Sequence, residues 1–160
     1  MRYGEHNTLI QANHDGTLIY EAAQPLGPIA KTTSIWLHTW AIERPTSIFL
    51  AERSGAGWRT VSYAETLELV RAIGGSLIER GLTAETPILV ISGNSVDHAL
   101  LALAAQYVGV PTVPIAEQYS LIPQARGRLI EAAELVKILI VTPRAASPPS
   151  VSIVGPLGIR

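Results

Sequence analysis

The 160 residues are 48% hydrophobic with a formal net charge of −1, enough apolar chain for one packed domain, and without the basic excess that a nucleic-acid or membrane-surface partner needs. Cysteine is absent, which excludes a disulfide framework, a thiolate zinc site and a cysteine nucleophile, and suits a cytoplasmic protein. The longest unbroken apolar run, Ala99 to Ala105, is far shorter than a bilayer span, so no membrane association is expected.

Residues 1–31 show no sustained period and read as an N-terminal arm. Within it, Asp15-Gly16 has the composition to close a small hairpin between Thr8 to Gln11 and Thr17 to Glu21. Thr32, Thr33 or Ser34 is expected to cap a short helix with Leu37, Trp40 and Ala41 on one face, ended by Pro45. Ser47 to Arg53 and Trp58 to Val61 read as two strands joined by the loop Ser54 to Gly57.

Ser62 and Glu65 have the spacing of a capping box, the plainest helix start in the chain. The helix that follows carries Tyr63, Leu67, Val70, Gly74, Leu77 and Ile78 along one face and stops at Gly81. Gly74 and Gly75 inside it imply close backbone packing, since each otherwise costs about 1 kcal/mol relative to alanine.

Thr86 to Ser120 reads as a complete strand, helix, strand unit. Ile88 to Ile91 is a short apolar run of the kind that a parallel strand covered on both faces requires. Asn94 or Ser95 caps the next helix, Asp97 places a negative charge near its positive end, and Gly109 closes it. That helix is apolar on every side and is expected between two layers. The chain returns through Val110 to Ile115, where Pro111 and Pro114 mark an edge strand or an interrupted one. Arg128 to Lys137 is read as a helix and Ile138 to Val141 as a strand, closing a domain over 32–141. Residues 142–160, rich in proline and serine, read as a coil tail. The fold class is therefore α/β, a partial open and mostly parallel sheet with flanking helices. An incomplete sheet leaves unpaired strand groups, so self-association is an expectation.

Ser92, Gly93 and Asn94 form the turn between a strand's carboxyl end and a helix's amino end, where open parallel sheets often bind ligands and free N–H groups attract anions. They are the candidate cofactor-binding residues, with a purely connecting turn as the alternative. One glycine does not make the dinucleotide fingerprint, and Gly55 and Gly57 lack the lysine and hydroxyl residue of a phosphate loop. His6, His14, His38 and His98 are scattered without metal-ligand spacing, so no metal site is assigned. Asp97 serves as a helix-end charge, and no catalytic set of serine, histidine and acid is assigned.

VSYAET at Val61 to Thr66, and AAQYVGVPTVPI at Ala104 to Ile115, resemble two early elements of the adenylate-forming acyl-CoA synthetases, the AMP-binding enzyme superfamily. Together with WLHTWAIERP, FLAERSGAGWRTVSYAE and ISGNSVDHALLALAAQYVGVP, they are similar to the feruloyl-CoA synthase type from Leu26 to about Lys137. The resemblance implies a ligase that adenylates a small carboxylic acid with ATP and magnesium and passes the acyl group to coenzyme A. The family's glycine-rich phosphate loop, its aromatic-Thr-Glu element and its C-terminal lysine have no counterpart here; the only lysines are Lys31 and Lys137. The chain is therefore expected to be an N-terminal fragment, truncated or frameshifted after about Lys137, that holds no cofactor and does not catalyse alone. The alternatives are a non-catalytic module that pairs with a separate partner chain, and an unrelated open-sheet nucleotide binder.

Overall fold

The structure is a computed structural model that describes residues 7–135, 138–141 and 152–154. The chain divides into two units, Met1–Lys31 and Thr32–Arg160. The first is a hairpin of β1 (Thr8–Ala12) and β2 (Leu18–Ala22), antiparallel, with Ile10 opposite Tyr20. Its turn is held by one carboxylate: Asp15 Oδ1 accepts from the Thr17 N–H at 3.0 Å and from the Thr17 hydroxyl at 2.7 Å. Those bonds hold the Asp15 carboxyl below its ordinary value, and Gly16 supplies the positive φ of 86° that the turn needs.

The second unit opens with α1 (Ser34–Glu43), which buries Leu37 and half-buries Trp40 and Ala41. Its expected hydroxyl cap is not formed. Thr33 already lies in the helical region, and its hydroxyl donates instead to Gln106 Oε1 at 3.3 Å. β3 (Ile48–Ser54) and β4 (Gly57–Ser62) form the second hairpin. Its loop is tighter than the sequence suggests, because Ser54 and Gly57 pair with each other and leave only Gly55 and Ala56 to turn, with Gly55 at φ 59°.

α2 (Tyr63–Glu79) begins with the capping box complete. Ser62 Oγ accepts from the Glu65 N–H at 3.3 Å, and the Glu65 carboxylate accepts from the Ser62 N–H at 2.8 Å. It ends in a Schellman motif, the Leu82 N–H reaching the Leu77 carbonyl and the Gly81 N–H reaching that of Ile78. The buried stripe is Thr66, Val70, Gly74 and Leu77; Ile78, placed by periodicity on the same face, is 59% exposed.

The larger sheet has four strands in the order β6-β5-β7-β8: β5 (Ile88–Ile91), β6 (Thr112–Ile115), β7 (Ile138–Val141) and β8 (Ser152–Val154). β5 pairs parallel with both neighbours, and β8 lies antiparallel to β7. All four β5 residues are buried, as a strand covered on both faces must be. β6 stands at an edge, where Pro114, which has no N–H to donate, sits opposite Val90. This is the open, mostly parallel sheet with flanking helices. α3 (Val96–Val108) links β5 to β6; α4 (Gln118–Leu121) and α5 (Arg126–Leu135) link β6 to β7.

Two corrections concern the C-terminal part. α5 begins at Arg126 rather than Arg128, and the Lys137 end expected for it lies outside the described residues. Ser152–Val154 pairs with β7 although the tail reads as coil. Three residues are too few to show a period, and the open edge of β7 supplies backbone partners that the sequence alone does not announce. The rest of 142–160 is outside the described residues.

The core is double. Leu77, Leu82, Ile88, Val90, Leu101, Ala105 and Val110 make one cluster between α2, α3 and β5. Leu37, Val61, Val70, Val96, Leu100 and Ala104 make a second, between α1, α2, α3 and the β3–β4 hairpin. α3 contributes adjacent residues to both, Leu101 and Ala105 to one, Leu100 and Ala104 to the other. That is the physical reason this helix is apolar on every side.

Candidate functional site

The chain leaves β5 at Ile91, turns through Ser92, Gly93 and Asn94, and enters α3 at its cap Ser95. β5 connects onward to β6 on one side, while β8 follows β7 on the other. The carboxyl ends of β5 and β7 thus flank a point where the strand order diverges, the usual ligand crevice of open α/β sheets.

The three turn residues have different surroundings. Ser92 is 9% exposed. Its Oγ lies 3.1 Å from the Gly93 carbonyl and 2.6 Å from His98 Nδ1. Gly93 faces the Glu117 carboxylate: a Cβ built on it would stand 3.4 Å from Glu117 Oε2. Asn94 is exposed. Ser95, not Asn94, is the cap, its Oγ accepting from the His98 N–H at 3.1 Å. Gly109 closes the far end at φ 76° in a second Schellman motif, with the Val110 N–H on the Ala105 carbonyl.

An ion-pair clasp ties this turn to the β3–β4 hairpin. Arg59 Nη1 donates to Glu52 Oε1 and Nη2 to Asp97 Oδ1, both at 2.8 Å. The second Glu52 oxygen accepts from the Val96 N–H at 2.9 Å. Asp97, expected as a simple helix-end charge, is therefore one end of a three-residue bridge. Its hydrogen bond, followed by that of Glu52, pushes the Arg59 guanidinium above its ordinary value.

The arrangement has chemical consequences. The N–H groups of Val96 and His98 are already bonded to Glu52 and Ser95, and the carboxylates of Glu52, Asp97 and Glu117 border the turn. Two of the helix-end donors are thus occupied, and the neighbouring carboxylates weaken the turn as an anion site. Among the described residues no His, Asp or Glu group is arranged to hold a metal ion. The turn offers hydrogen-bond acceptors instead. Ser92 and His98, which the sequence leaves as separate residues, are brought together; Glu52, Arg59 and Glu117 carry no local signal and come from three other elements.

These features define a class, the open α/β domain with flanking helices. The model of the AMP-binding enzyme family matches residues 37–154, and the chain belongs to that family. No curated protein matches the sequence. Among solved structures it is similar to a fatty acyl-adenylate ligase from L. pneumophila in complex with acyl adenylate and pyrophosphate, at TM-score 0.61 and 15% identity over 71% of this chain and 20% of that one. It is also similar to CmiS6, at TM-score 0.61 and 18% identity over 86% of this chain and 39% of that one. The N-terminal subdomain of Klebsiella oxytoca NpsA matches at TM-score 0.59 and 17% identity, over 76% of this chain and 30% of that one. The chain thus spans well under half the length of each of these neighbours. No helix among the described residues is long and apolar enough to cross a membrane.

Proposed function

We propose that this chain is the N-terminal part of a cytoplasmic acid ligase that joins a carboxylic acid to the adenylyl group of ATP, releasing pyrophosphate, and then transfers the acyl group to coenzyme A. The acid is aromatic, of the feruloyl type, a reading carried by the resemblance of WLHTWAIERP and ISGNSVDHALLALAAQYVGVP. The observation that carries the ligase assignment is the family match over residues 37–154. The part played by these residues is structural: a two-layer core around α3 holds the end of β5 and its turn in place. ATP and magnesium chemistry then falls to residues other than this turn, whose border is acidic.

The test is turnover by the full-length enzyme that carries this sequence, with ATP, magnesium and coenzyme A. Ferulate is expected to give pyrophosphate and a thioester, and the 160-residue chain alone is expected to give neither. Pyrophosphate release from a fatty acid but not from ferulate would remove the aromatic assignment, and turnover by the chain alone would remove the structural one. A second reading, a non-catalytic module that pairs with a separate chain or with its own copy, is favoured by the exposed Trp36, Ile42, Ile48 and Trp58. Size-exclusion chromatography with light scattering distinguishes it, since a monodisperse monomer without a co-purifying partner contradicts it.

A further inference from the structure

An open strand edge invites another strand, and proteins blunt such edges with charge, proline, a bulge or shortness. Among the described residues every edge but one carries such a device. β3 has Glu52, Arg53 and a register break between Ile48 and Leu50, and β4 has Arg59. β8 is three residues long, and β2 has Glu21. In β6 the Pro111 carbonyl accepts from the Ile88 N–H at 2.8 Å, so by the alternation of strand backbone Pro114 points to the outer edge and leaves it without a donor there. β1, Thr8–Ala12, is uncharged, free of proline and in unbroken register, and all five residues are exposed.

The same alternation defines what this edge offers. The Ala23 N–H donates to the Asn7 carbonyl and the Asn13 N–H to the Thr17 carbonyl, both at 2.9 Å, so the odd-numbered residues of β1 turn their backbone toward β2. The N–H and C=O groups of Thr8, Ile10 and Ala12 point the other way, where no strand lies beside them among the described residues.

We infer that β1 is a pairing edge for a second copy of this chain, the two β1 strands running antiparallel about a two-fold axis at Ile10. In that register Ile10 meets Ile10 and Thr8 meets Ala12, so each free N–H faces a free carbonyl of the other copy. The edge is thus complementary to itself, and since Thr8–Ala12 carries no charge, no like charges are brought opposite each other. The axis stands normal to the sheet, so Ile10, Ala12, Leu18 and Tyr20 of both copies line one side. A two-stranded ribbon is marginal by itself, and pairing turns it into four strands. One strand edge buries far less than the ~1,600 Å² of a standard interface, so the dimer forms in a concentration-dependent way. The inference concerns assembly and is independent of the ligase reading.

The experiment combines cross-linking, hydrogen exchange and sedimentation of the full chain. The sequence has no cysteine, so each introduced thiol is the only one. Under mild oxidation Ile10→Cys is expected to give a covalent dimer, because its Cα atoms lie about 5.5 Å apart across the axis, within disulfide reach. Ala12→Cys is expected to stay monomeric, with its two copies roughly 14 Å apart along the strands. Amide protection of Thr8, Ile10 and Ala12 should rise with protein concentration, while that of Leu9 and Gln11, supplied by β2, should not. Ile10→Pro removes an outward N–H without touching a β1–β2 bond, and is expected to abolish the dimer in sedimentation while Leu9 and Gln11 stay protected. A wild-type monomer at NMR concentrations, equal cross-linking at positions 10 and 12, protection of Thr8, Ile10 and Ala12 that ignores concentration, or a dimer that survives Ile10→Pro overturns the inference.

Discussion

Gly74 and Gly75 are neighbours in α2, yet alanine at the two positions should have different effects. A Cβ on Gly74 would stand 2.9 Å from Val108 Cγ1 and 3.6 Å from the Ala104 carbonyl oxygen, whereas nothing lies within 4 Å of one on Gly75. Carbon atoms pack without repulsion at about 3.5–4.0 Å, so the Val108 methyl must retreat by at least ~0.6 Å. Valine is stiff about χ1 in a helix, and α3 is fixed between two cores, so the strain spreads into the α2–α3 packing. Overpacking of this kind costs about 1–3 kcal/mol. Both substitutions gain about 1 kcal/mol from helix propensity and a less flexible unfolded chain. The net expectation is that Gly75→Ala stabilises by up to ~1 kcal/mol and Gly74→Ala is neutral to ~2 kcal/mol destabilising. At about 2–4 °C per kcal/mol for a chain of this size, the two melting temperatures should differ by roughly 2–12 °C. Urea denaturation and thermal melts of the single variants measure this. A double-mutant cycle with Val108→Ala should recover ~0.5 kcal/mol or more, because it removes the clashing methyl. Gly74→Ala as stable as Gly75→Ala, or no coupling to Val108, would refute the packing argument.

Two further substitutions probe the frame of the candidate site. Arg59→Met leaves Glu52 and Asp97 without their shared cation; with 30% of the arginine side chain exposed, the expected loss is about 1–2 kcal/mol, and it should shrink in high salt. A salt-independent loss would mean that packing, not charge, is what Arg59 supplies. In the capping box, the Ser62 N–H holds the Glu65 carboxyl below its ordinary 4.5. A depressed carboxyl stabilises the fold above 4.5, and that contribution disappears as pH falls through the lower folded value. Separately, Ser62→Ala removes the Oγ that accepts from the Glu65 N–H, a cap loss of about 1 kcal/mol. Glu65→Gln, followed by chemical denaturation below pH 4.5, should show a shallower acid dependence than wild type; identical slopes would show that the carboxylate does not contribute.

Much of the local structure was legible because its causes are local. The box at Ser62 and Glu65 is satisfied within four residues, and Gly81 and Gly109 each adopt the left-handed conformation that few other residues accept. The unbroken run Ile88–Ile91 and the all-round apolar α3 likewise announced a doubly covered strand and a sandwiched helix. What failed in the sequence was decided at a distance. Periodicity put Ile78 on the buried face of α2, but the neighbouring elements stop short of it. Of the three cap candidates Thr32, Thr33 and Ser34 none forms the cap bond, and Thr33 instead meets Gln106; Gly75 lacks the close neighbour that Gly74 has.

The same division holds for the site. The sequence by itself determined the turn Ser92, Gly93 and Asn94, because a short apolar run followed by turn residues and a capping serine is a local pattern of hydrogen bonding and hydropathy. Tertiary structure alone decided what surrounds that turn. Ser92 and His98 are six positions apart, too far for a turn motif and off the helical repeat, and only the first turn of α3 folding back over the end of β5 brings them within 2.6 Å. Glu52, Arg59 and Glu117 arrive from β3, β4 and the segment before α4, so the acidic border of the turn is a product of layer packing, which no window along the chain contains.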